Sequence, residues 1–131
     1  MIGVGELDNI AKARIDDAKT LLAAGRFDSA SYLSGYAVEV ALKATICRTL
    51  QWMGFPSTNS EFQGYKSFQT HELGVLLRLS GHEARIKQTH NRFWNVVETW
   101  TVDIRYNAVG SVSPVAAVAM VEAAEQILEG L

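Results

Sequence analysis

The chain is short of the residues that announce extracellular, membrane or nucleic-acid-coating proteins. Its 131 residues hold one cysteine, Cys47, and two prolines, Pro56 and Pro114. A single cysteine cannot form an internal disulfide. Cys47 lies in an apolar stretch and reads as a small core residue, which suits a reducing, cytoplasmic setting. No apolar run approaches the roughly 20 residues that span a bilayer, so no membrane association is expected. The amino terminus MIGVGELD has no basic region followed by an apolar core, so no secretion signal is expected. The net charge of −2 excludes a broadly basic surface, though not a local basic patch. There is no internal repeat and no low-complexity tract.

Familiar chemical motifs are missing as well. No GxxxxGK[ST] is present to cradle phosphates, no GxSxG marks a hydrolase, and no CxxC occurs. Gly3 and Gly5 form a GxG, but no strand precedes it and no third glycine follows in place. His82-Glu83 starts like HExxH, but position 86 is Ile. His71, His82 and His90 share no ligand spacing, so neither a metal nor another cofactor is expected.

What is present is helical. Apolar residues make up 48% of the chain and charged residues 20%, a globular balance that can bury a core in one domain, 1–131. Residues 1–6 read as a flexible tail. Helix 1 is expected from Leu7 to Ala24, with Asp8 as N-cap, a stripe of Leu7, Ile10, Ala11, Ala18, Leu21 and Leu22, and Gly25 as its stop. The short link GRFD makes the next helix its antiparallel neighbour, capped by Asp28. That second helix, Asp28 to Met53, is apolar nearly all round, the mark of a central buried element. Residues 54–69 hold two Gly, one Pro and several polar residues and read as a long loop. Its Phe62, Tyr65 and Phe68 either pack on the bundle or form a lid. Thr70 opens a short helix that Gly81 ends. A fourth helix is expected from Glu83 to Tyr106 on Phe93, Val97, Trp100 and Ile104. Ser113 and Pro114 start the last one, which buries Ala117, Val121, Ala124 and Leu128 and turns Glu122, Glu125 and Glu129 to solvent. The expected fold is all-α, an antiparallel bundle of four to five helices with no strand.

Three constellations carry candidate chemistry. Glu39 and Lys43 sit mid-helix at i,i+4 in the favourable order, with Tyr32 and Tyr36 on the same face. They read either as a polar cluster at a cleft or as a structural ion pair, since charges in a buried helix need partners. Arg105, in WTVDIRY, offers a planar five-donor fork for phosphate or carboxylate; the alternative is a pair with Glu39 or Glu98 inside the bundle. Arg85, Lys87, His90 and Arg92 could touch phosphates or simply form a solvated face.

The residues of GRFDSASYLSGYAVEVALKA, with Ala37, Glu39, Leu42, Lys43 and Ala44, then THELGVLL, then the Trp-rich helix ending WTVDIRY, resemble the HEPN family in order and spacing. The resemblance implies a helical bundle that often forms homodimers. It also implies RNA-cleaving toxins or defence effectors, often paired with a minimal nucleotidyltransferase as antitoxin. Active members use an Arg followed after four to six residues by a His. The Arg maps to Arg105, but no His occurs from Tyr106 to Leu131. Metal-independent RNA cleavage needs a proton-transfer group near neutral pH, and Tyr106 is a poor substitute.

The leading expectation is therefore a non-catalytic HEPN-like module. It would bind nucleotide, RNA or a nucleotidyltransferase-like partner through a groove near Arg105, Tyr106, Tyr36, Lys43 and Glu39. The alternatives are a ribonuclease toxin using Arg105 with His71 or Glu39, and a plain oligomerisation domain. All expect Glu39 and Arg105 to lie close together.

Overall fold

The computed structural model describes all residues 1–131. The longest element, α2 (Phe27–Leu50), is the hub. Three helices pack on it: α1 (Val4–Ala23), α3 (Leu73–Ser80) and α6 (Pro114–Gly130). Two short helices, α4 (Glu83–Thr89) and α5 (Asn91–Val97), join α3 to the rest, and α5 packs on α6. The fold is all-α, as the periodicity predicts.

The burial of α2 matches its composition. Thirteen of its residues are buried, among them Val38, Leu42, Ile46 and Cys47. A helix apolar on every side has no use for solvent, and neighbours on several sides remove it from water. Its buried hydroxyls are satisfied locally: Ser34 Oγ donates to the Ala30 carbonyl (2.8 Å) and Thr45 Oγ1 to that of Ala41 (2.9 Å).

The α1–α2 reversal is a Schellman turn. Arg26 N–H donates to the Leu21 carbonyl and Gly25 N–H to that of Leu22, with Gly25 at φ +76°. The start of α6 is also as expected: Ser113 is the N-cap, its hydroxyl accepts from Ala116 N–H (3.1 Å), and Pro114 follows.

Three expectations are corrected. Residues 1–6 are not a flexible tail. Ile2 and Gly3 form β1, paired antiparallel with Gly54 and Phe55 of β2, and α1 begins at Val4. The Met1 ammonium is bound to Glu61 Oε1 at 2.7 Å. A two-residue ladder is too short to give alternation in the sequence. Second, Asp8 and Asp28 are not N-caps. Asp8 lies inside α1 and pairs with Arg48, whereas α2 starts at Phe27 with Arg26 as an N-cap that contributes no side-chain bond.

Third, the expected helix from Glu83 to Tyr106 is three elements. His90 leaves helical geometry (φ −130°, ψ 26°), and after Val97 the chain continues as a 3-10 turn, Val102–Tyr106. The β-branched Val96, Val97, Thr99, Thr101 and Val102 disfavour helix there. Trp100 then draws the chain onto α2. The bundle consequently has six α-helices. The 54–69 segment is largely irregular, as expected, and its aromatics take the packed alternative. Phe55 and Phe62 are buried, and Trp52, Tyr65 and Phe68 form an aromatic cluster with centroids 5.0 to 6.4 Å apart.

Candidate functional site

The two polar features of α2 stand about two turns apart. Near its middle, Glu39 is buried at 2% exposure. Its Oε2 accepts from Lys43 Nζ at 2.8 Å and lies 3.1 Å from His71 Nδ1. Lys43, mostly buried, places its ammonium 5.3 Å from the centroid of the Phe55 ring. His71 is exposed and sits just ahead of α3, so the contact fastens the incoming segment to α2. Glu39 Oε1 is buried without a hydrogen-bond partner. The ion-pair reading of the Glu39–Lys43 spacing thus describes the observed contact.

Arg105 does not join this cluster. It sits on the 3-10 turn and lines a cleft of about 420 Å³ at the amino-terminal end of α2. Arg26, Phe27, Asp28, Ser29 and Tyr32 form one wall of the cleft, and Asn107 to Val112, except Ala108, contribute to the other. Tyr32 precedes Glu39 by seven residues, about 10 Å along the helix axis. Arg105 thus lines the cleft with Tyr32 while Glu39 contacts Lys43 and His71, and neither Glu39 nor Glu98 pairs with Arg105. The sequence places both residues on neighbouring elements, but it does not reveal how far along α2 the Trp100 turn lands.

Electrostatically the cleft favours anions. Arg26 and Arg105 both line it, and α2 presents an amino terminus without a side-chain cap. The phenols of Tyr32 first, and then Tyr106, lie beside the Arg105 guanidinium and raise its pKa further. Its carbon stands 5.0 Å from the Tyr106 ring centroid, and Tyr106 is exposed. The one carboxylate at the cleft, Asp28, is already engaged. It accepts from Gly110 N–H (2.6 Å) and Val112 N–H (3.0 Å), and these backbone bonds lower its pKa. Asp28 thereby pins the loop wall to α2.

Among the residues that sequence reasoning brought forward, Arg105 and Tyr106 thus meet at the cleft, and Glu39 and Lys43 meet away from it. Tyr36 is half-buried against the core and makes no hydrogen bond to either cluster. Arg85, Lys87 and Arg92 on α4 and α5 are exposed, as a solvated face would be, and each has a neighbour within the chain. Arg85 donates to the Gly130 carbonyl (2.6 Å), Lys87 pairs with Glu83 (3.2 Å), and Arg92 lies over Phe93 (4.6 Å). His82 has a lowered pKa through burial and then through Arg85. No group of three or more His, Cys, Asp or Glu side chains could hold a metal ion.

Arg26 and Asp28 are cleft residues that sequence reasoning missed as such, while Tyr32, expected at a cleft with Glu39, lines the Arg105 cleft instead. One signal was available: a glycine inside a long helix, Gly35, marks a close approach by another element. A Cβ there would meet three atoms of the Trp100 ring at 2.2 to 2.4 Å.

The HEPN domain family model matches residues 4–59, which span α1, α2, β2 and the start of the segment that follows. Glu39 and Lys43 lie inside the matched part, and Arg105 lies beyond it. No curated protein and no solved structure matches the chain. Over α1 and α2 the chain is thus similar to the HEPN domain, and the structure around them is all-helical.

Proposed function

We propose that this HEPN-type chain is a binding module without nuclease chemistry, taking the phosphates of RNA or a nucleotide in the cleft at Arg105. One observation carries the reading: two guanidiniums line a cleft that no histidine lines. Guanidinium forks bind phosphate oxygens in pairs. Cleavage of RNA without metal additionally needs a group that moves protons near neutral pH. The three histidines, His71, His82 and His90, are engaged elsewhere, with Glu39, Arg85 and Thr89 respectively.

The HEPN resemblance supports the wider setting: a homodimer, and a nucleotidyltransferase-like protein as partner in a toxin–antitoxin or defence pair. Glu39, Lys43 and Tyr36 leave the binding groove in this reading and act as structural support.

The test is binding of a short fluorescein-labelled single-stranded RNA by anisotropy, run beside a metal-free cleavage assay. Wild type should bind and not cleave. Arg105→Ala should weaken binding about tenfold and reduce the salt slope by roughly one. Cleavage that disappears in Arg105→Ala would replace the binding-module reading with the ribonuclease one. Binding indifferent to Arg105 would remove the cleft from the account.

A further inference from the structure

Arg105 is exposed on a five-residue 3-10 turn, yet its surroundings are built from the core outward. The chain of contacts begins at Gly35. Lacking a side chain, it leaves a notch on α2 into which the Trp100 ring fits, at 4% exposure. The indole Nε1–H donates to the Tyr32 carbonyl at 3.1 Å. The Tyr32 ring then packs on the Trp100 ring, with centroids 5.8 Å apart and planes at 34°. Tyr32 and Arg105 in turn line the same cleft, and the Tyr32 phenol is the first cause of the raised Arg105 pKa.

We infer that Tyr32 and Trp100 are positioning residues that hold the Arg105 guanidinium in the cleft, an inference that rests on the reading of that cleft as a phosphate site. An arginine on a short surface turn has several rotatable bonds to order before it can bind. A ligand meeting an ordered guanidinium loses less entropy on binding. Trp100 contributes twice. It fixes where the Val102–Tyr106 turn begins, because Thr101 alone separates them, and it fixes the Tyr32 ring. Tyr32 contributes the phenol that faces Arg105. Neither residue needs to touch the ligand for this role.

The experiment uses the full chain and the same labelled RNA, with Tyr32→Phe, Trp100→Phe and Arg105→Ala. Tyr32→Phe keeps the ring on Trp100 and removes only the hydroxyl. It should melt with the wild type, raise Kd about fivefold, and increase the fast motion of Arg105 Nε in 15N relaxation. Trp100→Phe removes the indole N–H and should raise Kd at least as far. If Trp100→Phe does not fold, Tyr32→Phe decides alone. Unchanged Kd and unchanged Arg105 mobility in Tyr32→Phe, with Arg105→Ala still weakening binding, would overturn the inference and leave the cleft reading standing. If Arg105→Ala also binds as wild type, the cleft reading falls and the inference with it.

Discussion

Glu39 and Arg105 are both charged residues tied to α2, and they live in opposite circumstances. Glu39 is buried, and a lysine and a histidine converge on one of its oxygens. Arg105 is exposed beside a cleft that has room for a ligand. A buried carboxylate whose partners belong to the fold contributes through them. Removing one partner leaves a charge in a poor environment. An exposed guanidinium with no acidic partner in the fold has its charge to spare for something outside it. In the proposed reading the first region is structural and the second is the binding site.

The sharpest way to break this contrast is Glu39→Ala. It strands Lys43 and opens space in α2, and should cost about 2 kcal/mol of stability, less than a fully buried pair because Lys43 keeps some solvent. Urea denaturation measures the loss. RNA affinity of the folded protein should stay within twofold of wild type. A large affinity loss with intact stability would join the two regions into one site.

Gly35→Ala probes the notch that sets the position of the second region. Helix propensity favours alanine at a mid-helix position, but the Cβ collides with the Trp100 ring. Overpacking should win and destabilise by about 1 to 2 kcal/mol. Unlike Glu39→Ala, this change should also weaken RNA binding, because Trp100 must move. Stability gained in Gly35→Ala would show that the ring yields freely and that the notch does not fix the turn.

The smallest effect concerns Asp28, whose pKa is lowered by the amides of Gly110 and Val112. A carboxyl with a depressed folded-state pKa stabilises the fold fully above its unfolded value of about 3.8. That contribution is lost as pH falls through the lower folded-state value. Asp28→Asn should therefore be less stable than wild type at neutral pH, and the gap should close below about pH 3.8. Thermal melts across pH measure it. A gap that is constant with pH would mean the carboxylate charge is irrelevant to the latch.

How much of this was legible beforehand follows from the range of each interaction. The apolar girth of α2, the stop at Gly25, the Ser113-Pro114 start of α6 and the Glu39–Lys43 pair all depend on residues within one or two helical turns. Such patterns are written locally, and the structure has them as expected. The β1–β2 ladder, the approach of His71 to Glu39 and the Asp28 hold on Gly110 and Val112 join residues 32 to 84 positions apart or link the two ends of a long segment. No local pattern encodes them.

The amino-acid sequence by itself determined the all-helical class, the central helix and the arginine without a following histidine. These rest on periodicity and on residue identity. Tertiary structure alone decided where the chain after Val97 lands, because Trp100 finds a notch at Gly35 on a different element. That one packing event, a ring entering the space of a missing side chain, places Arg105 beside Tyr32 instead of beside Glu39. Which charge is internal and which lines the open cleft follows from where the ring is buried.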